Sequence, residues 1–470
     1  MFFNSLDFLI FGAIFFGLWP LLRKDPNCRW AFLVVASFIF YGWWDFRFLL
    51  LIVASGLIDF FAALMIDKSR SNAKLFLILS LCTNIGLLAT FKYLDFFTAN
   101  INTILTLAGD TRTLPLAELI LPVGISFYTF QSMSYTIDVY RNELKPTRNL
   151  LHFFAYLSMF PQLVAGPIVR ASVLLPQLEK AEPISTTDQW KAMKLIVRGY
   201  FKKMVVADAV APIVDSAFTS SEMSTPGLFW WAVMILFALQ IYCDFSGYSD
   251  IAIGLGAWMG YQFPLNFNHP YSSIGFREFW SRWHISLSTW FRDYVYIPLG
   301  GSRKGKFLAH VFMWITMVTS GFWHGAAWTF IVWGTFHAAM LSIERFSNWP
   351  SALSRGPVRA VGVVITFALV LVSWVFFRAE NMPQAMLILQ SMFNFSEGIS
   401  IQNLPSIDKG LALIVGVMLI WHLFACRVVE SLAWVTDKTL RPFQPVFYAT
   451  LIVLCIFLRG TGQAFVYFQF

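Results

Sequence analysis

The 470-residue chain is short of charge: Asp, Glu, Lys and Arg make up 13% of it, about half of the roughly 25% found in soluble domains. It also lacks any polar stretch large enough to fold as a soluble domain. The longest, residues 99–115, 169–193 and 394–408, are loop-sized. The five cysteines (Cys28, Cys82, Cys243, Cys426 and Cys455) are isolated, with no CxxC and no zinc-ligand spacing. That argues against a disulfide framework or a structural metal site, and in apolar runs such cysteines read as small buried hydrophobes. No internal repeat is visible, which counts against transporters built from duplicated halves. No GxSxG elbow and no placeable Ser–His–Asp set is present, so the sequence does not read as a hydrolase of that type.

What the chain has is apolar length. Hydrophobic residues make up 57% of it and the mean hydropathy is +0.63. Apolar segments fall at 7–22, 31–44, 48–66, 75–98, 116–137, 150–168, 194–214, 227–243, 245–263, 307–320, 322–342, 358–377, 409–428 and 445–459. A bilayer crossing needs about 20 residues of helix, so some of these are too short, and roughly 10–12 crossings are expected with the rest re-entrant or interfacial. Only helices and closed barrels satisfy their backbone inside lipid. The runs lack the short alternating pattern of a barrel. The expectation is an all-α polytopic membrane protein forming a single domain over 1–470.

The net charge is +8, but the basic residues do not form a nucleic-acid-binding surface. They fall in short clusters between apolar runs (Arg23-Lys24, Lys68 to Lys74, Lys202-Lys203, Arg303 to Lys306), as positive charge held on the cytoplasmic side does. The basic first loop (Arg23, Lys24, Arg29) and third loop (Lys68, Arg70, Lys74) place the N-terminus outside. No positive charge precedes the first apolar run, which ends in Arg23-Lys24, so it reads as a retained helix and not a cleavable signal. Of 19 Trp and 15 Tyr, pairs such as Trp43-Trp44 and Trp230-Trp231 read as interfacial anchors.

Polar residues inside such segments point to function. Gln240 to Asp250 joins two apolar runs and contains Asp244, Ser246, Gly247, Tyr248 and Asp250. It fits a bend lining a cavity or a loop at the water interface. Phe276 to Tyr294 carries Arg277, Arg282 and Arg292 against Glu278 and Asp293. As one helix it would put Arg277, Trp280 and His284 on a shared face. It reads as an interfacial helix held by salt bridges or the wall of a water-filled funnel, closed by the turn Pro298-Leu-Gly300-Gly301. Ser320 to Trp328 holds His324 between apolar flanks. An imidazole there suits a general base and a packed histidine equally well. Gly321 and Gly325 read as a close-approach pair for a neighbouring helix. His337 is expected thirteen residues along the same helix, on the opposite side. No two histidines show the i, i+4 spacing of a helical metal site, so no metal centre is supported.

These residues resemble a known family. Arg282-Trp283-His284-Ile-Ser-Leu-Ser288, followed by Arg292-Asp293-Tyr294 and Pro298-Leu-Gly300-Gly301, is similar to the membrane-bound O-acyltransferase signature. Trp323-His324-Gly325, forty residues after His284, resembles that family's essential-histidine motif. Further matches run in order along the chain: Asn4-Ser5, Ser37 to Trp44, Phe91-Lys92-Tyr93, Pro122 to Gln131, Phe160 to Ile168, Asp244 to Asp250, Trp374 to Ala379 and Tyr467 to Phe470. Each is weak alone; together they cover nearly the full length. The chain is most similar to the bacterial branch serving alginate O-acetylation, then to those for peptidoglycan O-acetylation and teichoic-acid D-alanylation.

The resemblance implies tilted helices around a central funnel. The donor would be a cytoplasmic thioester such as acetyl-CoA, used as substrate with no bound cofactor. It implies a multi-pass protein of the bacterial inner membrane, an exported esterase-like acyltransferase as partner and a polysaccharide acceptor. Carried over by residue, His324 is the catalytic histidine and His284 the second functional one. Trp323, Trp283, Arg282, Ser288, Arg292, Asp293, Asp244, Ser246, Tyr248 and Gln131 would shape the substrate tunnel. Acyl transfer needs a base for the attacking hydroxyl and a donor for the oxyanion. His324 suits the first; His284, or a nearby Trp N–H or Ser, suits the second. Direct attack by His324 to give an acyl-imidazole is the other mechanism open. A transporter or channel without chemistry is the reading from a different class.

Overall fold

The computed structural model describes residues 1–180, 184–220, 226–396, 402, 404–426 and 441–460. Every regular element among them is helical, with no strand. Their packing separates two units. One comprises Met1–Ile196 with Ile251–Pro264, the other Val197–Asp250 with Leu265–Phe470. The motif ending at Phe470 lies outside the described residues.

Among the described residues, four helical stretches are long and apolar enough to cross a bilayer: Pro26–Lys68, Arg70–Leu107, Gly227–Met259 and Val358–Arg378. Leu6–Leu22, Lys409–Phe424 and Gln444–Phe457 are shorter apolar helices. The first helix shows which solvent the fold is built for. Ser5 caps it, accepting from the Phe8 N–H at 3.1 Å. Phe8, Phe15 and Trp19 are buried, while Leu6, Leu9, Ile10, Ile14 and Leu21 are exposed along the other face. An outward apolar stripe is stable against lipid tails and not against water.

Within the first unit, Arg29 is buried and donates to the Arg23 carbonyl at 2.6 Å and the Leu178 carbonyl at 2.8 Å. It is a structural tie, where the charge pattern suggested a loop cation. Two expected segments are shorter than read. The 116–137 run becomes helical only at Ile125. Pro122 disfavours helix before it, and Gly124 at φ 76° turns the chain where a Cβ would meet the Leu163 carbonyl at 2.8 Å. The 150–168 run ends its first helix at Leu157 and holds only the short turn Phe160–Leu163 after it. It is not a crossing.

In the second unit, three expectations change. Gly227–Met259 is one continuous helix of 33 residues, with no loop at Gly247. That glycine instead allows close approach: a Cβ there would lie 2.8 Å from the Gly199 carbonyl. Residues 276–294 are not one helix. Phe276–Trp280 stops, His284 turns in the left-handed region, and Ile285–Phe291 begins. His324 and His337 lie on different helices, Lys306–His324 and Trp328–Ser347. The anchor reading also splits. Trp43 and Trp44 are exposed, but Trp230 is buried and Trp231 donates to the Met392 carbonyl at 2.9 Å.

Candidate active site

His284 is held by its backbone and its ring at once. It sits at φ 43°, ψ 54° as the residue before Ile285–Phe291, a conformation that costs a non-glycine residue about 1–3 kcal/mol unless its surroundings impose it. Asn266 imposes it. Its carbonyl accepts from the Ile285 N–H at 2.9 Å. Its Oδ1 accepts from the Ser286 N–H at 3.2 Å and the Ser286 hydroxyl at 2.9 Å. The backbone N–H can only donate, so the amide orientation is fixed, and its Nδ2 donates to Ser249 Oγ at 3.1 Å. His284 Nδ1 lies 3.2 Å from the same Oδ1 and must therefore carry the proton. The neutral ring keeps its lone pair on Nε2. The imidazole is wholly buried, with Phe245 packed at 4.6 Å.

His324 is the last residue of its helix, at a crossing that only small residues permit. A Cβ on Gly321 would strike the Phe330 carbonyl, and one on Gly334 would meet the Met317 carbonyl at 2.5 Å. Gly325 makes room for the Phe330 ring. The glycines thus serve close packing, as expected, against the helix that follows. The buried His324 ring packs on Trp323 at 4.9 Å, Trp333 at 5.0 Å and Phe377 at 5.4 Å. Trp323 joins the two histidines, because its ring also lies 6.4 Å from His284. Trp333 in turn packs on His337 at 4.7 Å and Trp374 at 6.0 Å. Trp280 Nε1–H donates to His337 Nδ1 at 3.3 Å.

The remaining expected residues divide. Trp283 belongs to this aromatic cluster, 5.0 Å from Trp374 and stacked on Phe279. Arg282 braces the approach to it, donating to Glu278 at 3.2 Å and to the Asn268 carbonyl at 3.0 Å. Ser288 Oγ donates to the Trp283 carbonyl at 3.3 Å. Arg292 pairs with its neighbour Asp293 at 2.7 Å, with the guanidinium mostly exposed. Asp244 lies in a buried ion cluster: Lys203 Nζ is 2.8 Å from both Asp244 and Asp208. Lys202 pairs with Asp250 at 2.8 Å. Ser246 and Tyr248 are buried on the same helix as Asp244. Gln131 belongs to the first unit, where its carbonyl accepts from the Tyr156 hydroxyl at 3.0 Å.

Asn266, Trp333, His337, Lys203 and Asp208 were not among the expected site residues, although Asp244, which pairs with Lys203, was. Lys202-Lys203 read as a loop cation pair, yet Lys203 is buried. The available signal was charge balance, since Asp208, Asp244 and Asp250 also stand in apolar surroundings. Asn266 carried no signal before its place beside His284 was known.

An all-α membrane protein with two buried imidazoles sharing an indole, one in a fixed tautomer, is equipped for proton transfer inside a low-dielectric site. Residues 70–378 match the model of the MBOAT, membrane-bound O-acyltransferase family. A protein named "Probable alginate O-acetylase AlgI" from Azotobacter vinelandii is 40% identical over 402 residues, covering 84% of this chain and 79% of the relative. A "Peptidoglycan O-acetyltransferase" from Helicobacter pylori is 36% identical over 84% of this chain and 80% of its own length. A "Teichoic acid D-alanyltransferase" from Streptococcus thermophilus is 29% identical over 54% of this chain and 68% of its own. The chain belongs to the membrane-bound O-acyltransferase family, and its chemistry is acyl transfer to oxygen.

Proposed function

We propose that the chain works as one domain of the bacterial inner membrane that takes an acetyl group from a cytoplasmic thioester, acetyl-CoA, and supplies it for O-acetylation of an exported polysaccharide. The relatives named for alginate and for peptidoglycan support an acetyl group and a glycan acceptor. Alginate is the preferred acceptor class by identity, with peptidoglycan second. An exported esterase-like acyltransferase is proposed to complete the transfer to the glycan.

The observation that carries the proposal is the indole of Trp323 packed against both His324 and His284. In the proposed mechanism His324 takes the proton from the attacking hydroxyl, whose oxygen bonds the thioester carbonyl carbon; the C–S bond then breaks and the proton passes from His324 to the departing CoA thiolate. With the Nδ1 proton of His284 held by Asn266, its Nε2 is an acceptor. His284 is therefore proposed to orient the acceptor by accepting from a second hydroxyl beside the attacking one, and not to donate to the oxyanion. The oxyanion donor is then an indole N–H of the cluster, Trp323 or Trp333, both packed on His324. Arg282 and Ser288 hold the His284 segment in place. Asp244, Ser246, Tyr248, Arg292 and Asp293 are proposed to line the substrate path.

The acceptor is tested by deleting the gene in its host and measuring ester-linked acetate on purified exopolysaccharide and on peptidoglycan separately. Loss from exopolysaccharide alone, restored by the wild-type gene and not by His324→Ala, is the expected result. Unchanged acetate in both polymers, or loss of D-alanine from an anionic polymer instead, would sink it.

A further inference from the structure

In the first unit, three helices close around a single carboxylate. Asp59, on Leu49–Lys68, has no exposed surface. From Ala73–Leu88, Ser80 Oγ donates to its Oδ1 at 2.5 Å and Asn84 Nδ2 donates to its Oδ2 at 2.8 Å. From Ile125–Tyr140, Ser132 Oγ donates to the same Oδ2. Thr136 Oγ1 lies 2.9 Å from Ser80 Oγ. Asn84 spends its second amide hydrogen on the Ser80 carbonyl at 3.0 Å, which fixes the orientation of that side chain. Three polar groups converging on two oxygens form an arrangement that favours the ionised carboxylate.

Two features do not fit a purely structural tie. No Lys, Arg or His among the described residues pairs with Asp59, and an uncompensated charge within apolar helices is strongly unfavourable. Asn84 Oδ1 is buried and accepts no hydrogen bond among the described residues, so the amide whose Nδ2 meets that carboxylate also carries an oxygen with two uncommitted lone pairs. Together with the carboxylate oxygens and the hydroxyls of Ser80, Ser132 and Thr136, it makes a six-oxygen set with one negative charge. Oxygen donors without nitrogen or sulfur select a hard cation over a transition metal. A single carboxylate balances one positive charge, whereas calcium sites gather several. Serine and threonine hydroxyls can rotate to turn lone pairs towards an ion.

We propose that the Asp59 cluster is a binding site for one sodium ion, which links the three helices and neutralises the carboxylate. The site lies outside the histidine cluster and does not depend on the acyl-transfer reading. Binding to the folded state alone raises stability with ion concentration, which gives a direct readout.

The test uses the full chain in nanodiscs at constant ionic strength. Sodium chloride is titrated against choline chloride, with potassium chloride in parallel, and the unfolding midpoint is followed by tryptophan fluorescence. Equilibrium binding of radioactive sodium is measured on the same samples. A saturable sodium-dependent rise in midpoint, one bound sodium per chain and its loss in Asp59→Asn are expected. Asn84→Ala and Ser132→Ala should each weaken sodium by about tenfold, a shift of roughly 1.4 kcal/mol. Superimposable curves in all three salts with no bound sodium would overturn the proposal. So would a midpoint that moves with pH but not with sodium, which assigns the balancing charge to a proton. If Asp59→Asn does not fold, unchanged sodium affinity in both Asn84→Ala and Ser132→Ala overturns the proposal in its place.

Discussion

Asn266→Ala is the substitution whose consequences the geometry fixes most closely. Asn266 is wholly buried, and its Oδ1 serves three donors: His284 Nδ1–H, the Ser286 N–H and the Ser286 hydroxyl. The hydroxyl can rotate to another acceptor and the imidazole can shift its proton, but the Ser286 N–H can do neither. A buried donor left without an acceptor costs about 1–3 kcal/mol, so the expected loss of stability is of that order. The His284 backbone strain loses part of its support as well. Without Oδ1 the imidazole can move its proton to Nε2, and the acceptor nitrogen proposed to orient substrate is lost. Turnover of labelled acetyl-CoA per folded molecule should fall at least about tenfold, equivalent to about 1.4 kcal/mol of barrier. Asn266→Asp keeps the acceptor geometry and should retain more stability than Ala. The assay pairs unfolding in nanodiscs with turnover normalised to folded protein. An Asn266→Ala protein with wild-type stability and wild-type turnover would show that Oδ1 neither supports this turn nor sets the tautomer that matters.

Other outcomes follow from the packing. Lys203→Met leaves Asp208 and Asp244 buried without their shared cation; breaking such a cluster costs about 3–5 kcal/mol, so chemical denaturation should show a loss of that order, with Lys203→Arg partly restoring it. Gly321→Leu forces a side chain into the Phe330 and Gly334 backbone. Overpacking of that kind costs about 1–3 kcal/mol and should lower both the unfolding midpoint and turnover. Gly17→Leu, where a Cβ meets nothing within 4 Å, should leave both unchanged.

Helix class and the two histidines were legible because they rest on composition and on residues unusual for their surroundings. Long apolar runs exclude other folds in lipid, and a Trp-His-Gly element between apolar flanks stands out. Element boundaries were less legible. Gly247 looked like a break because glycine and two carboxylates usually end a helix. In the fold, the carboxylates meet Lys203 and Lys202, and the glycine meets the Gly199 backbone. Both facts depend on a segment 41 to 48 residues earlier. His284 was placed on a continuous helix because periodicity assigns one period through a stretch. Its left-handed turn is set by Asn266, eighteen residues away, and no local propensity reports that. Leu116 to Pro122 read as membrane helix on hydropathy alone, whereas Pro122 and Gly124 govern its backbone.

Turnover of radiolabelled acetyl-CoA by the purified protein in nanodiscs decides whether acyl transfer is centred on His324. Wild type, His324→Ala and His284→Ala are compared at matched folded fraction, with the exported partner and glycan added. Thioester-dependent turnover is expected in wild type, none in His324→Ala and a strong reduction in His284→Ala. Full activity in a folded His324→Ala protein would contradict the assignment.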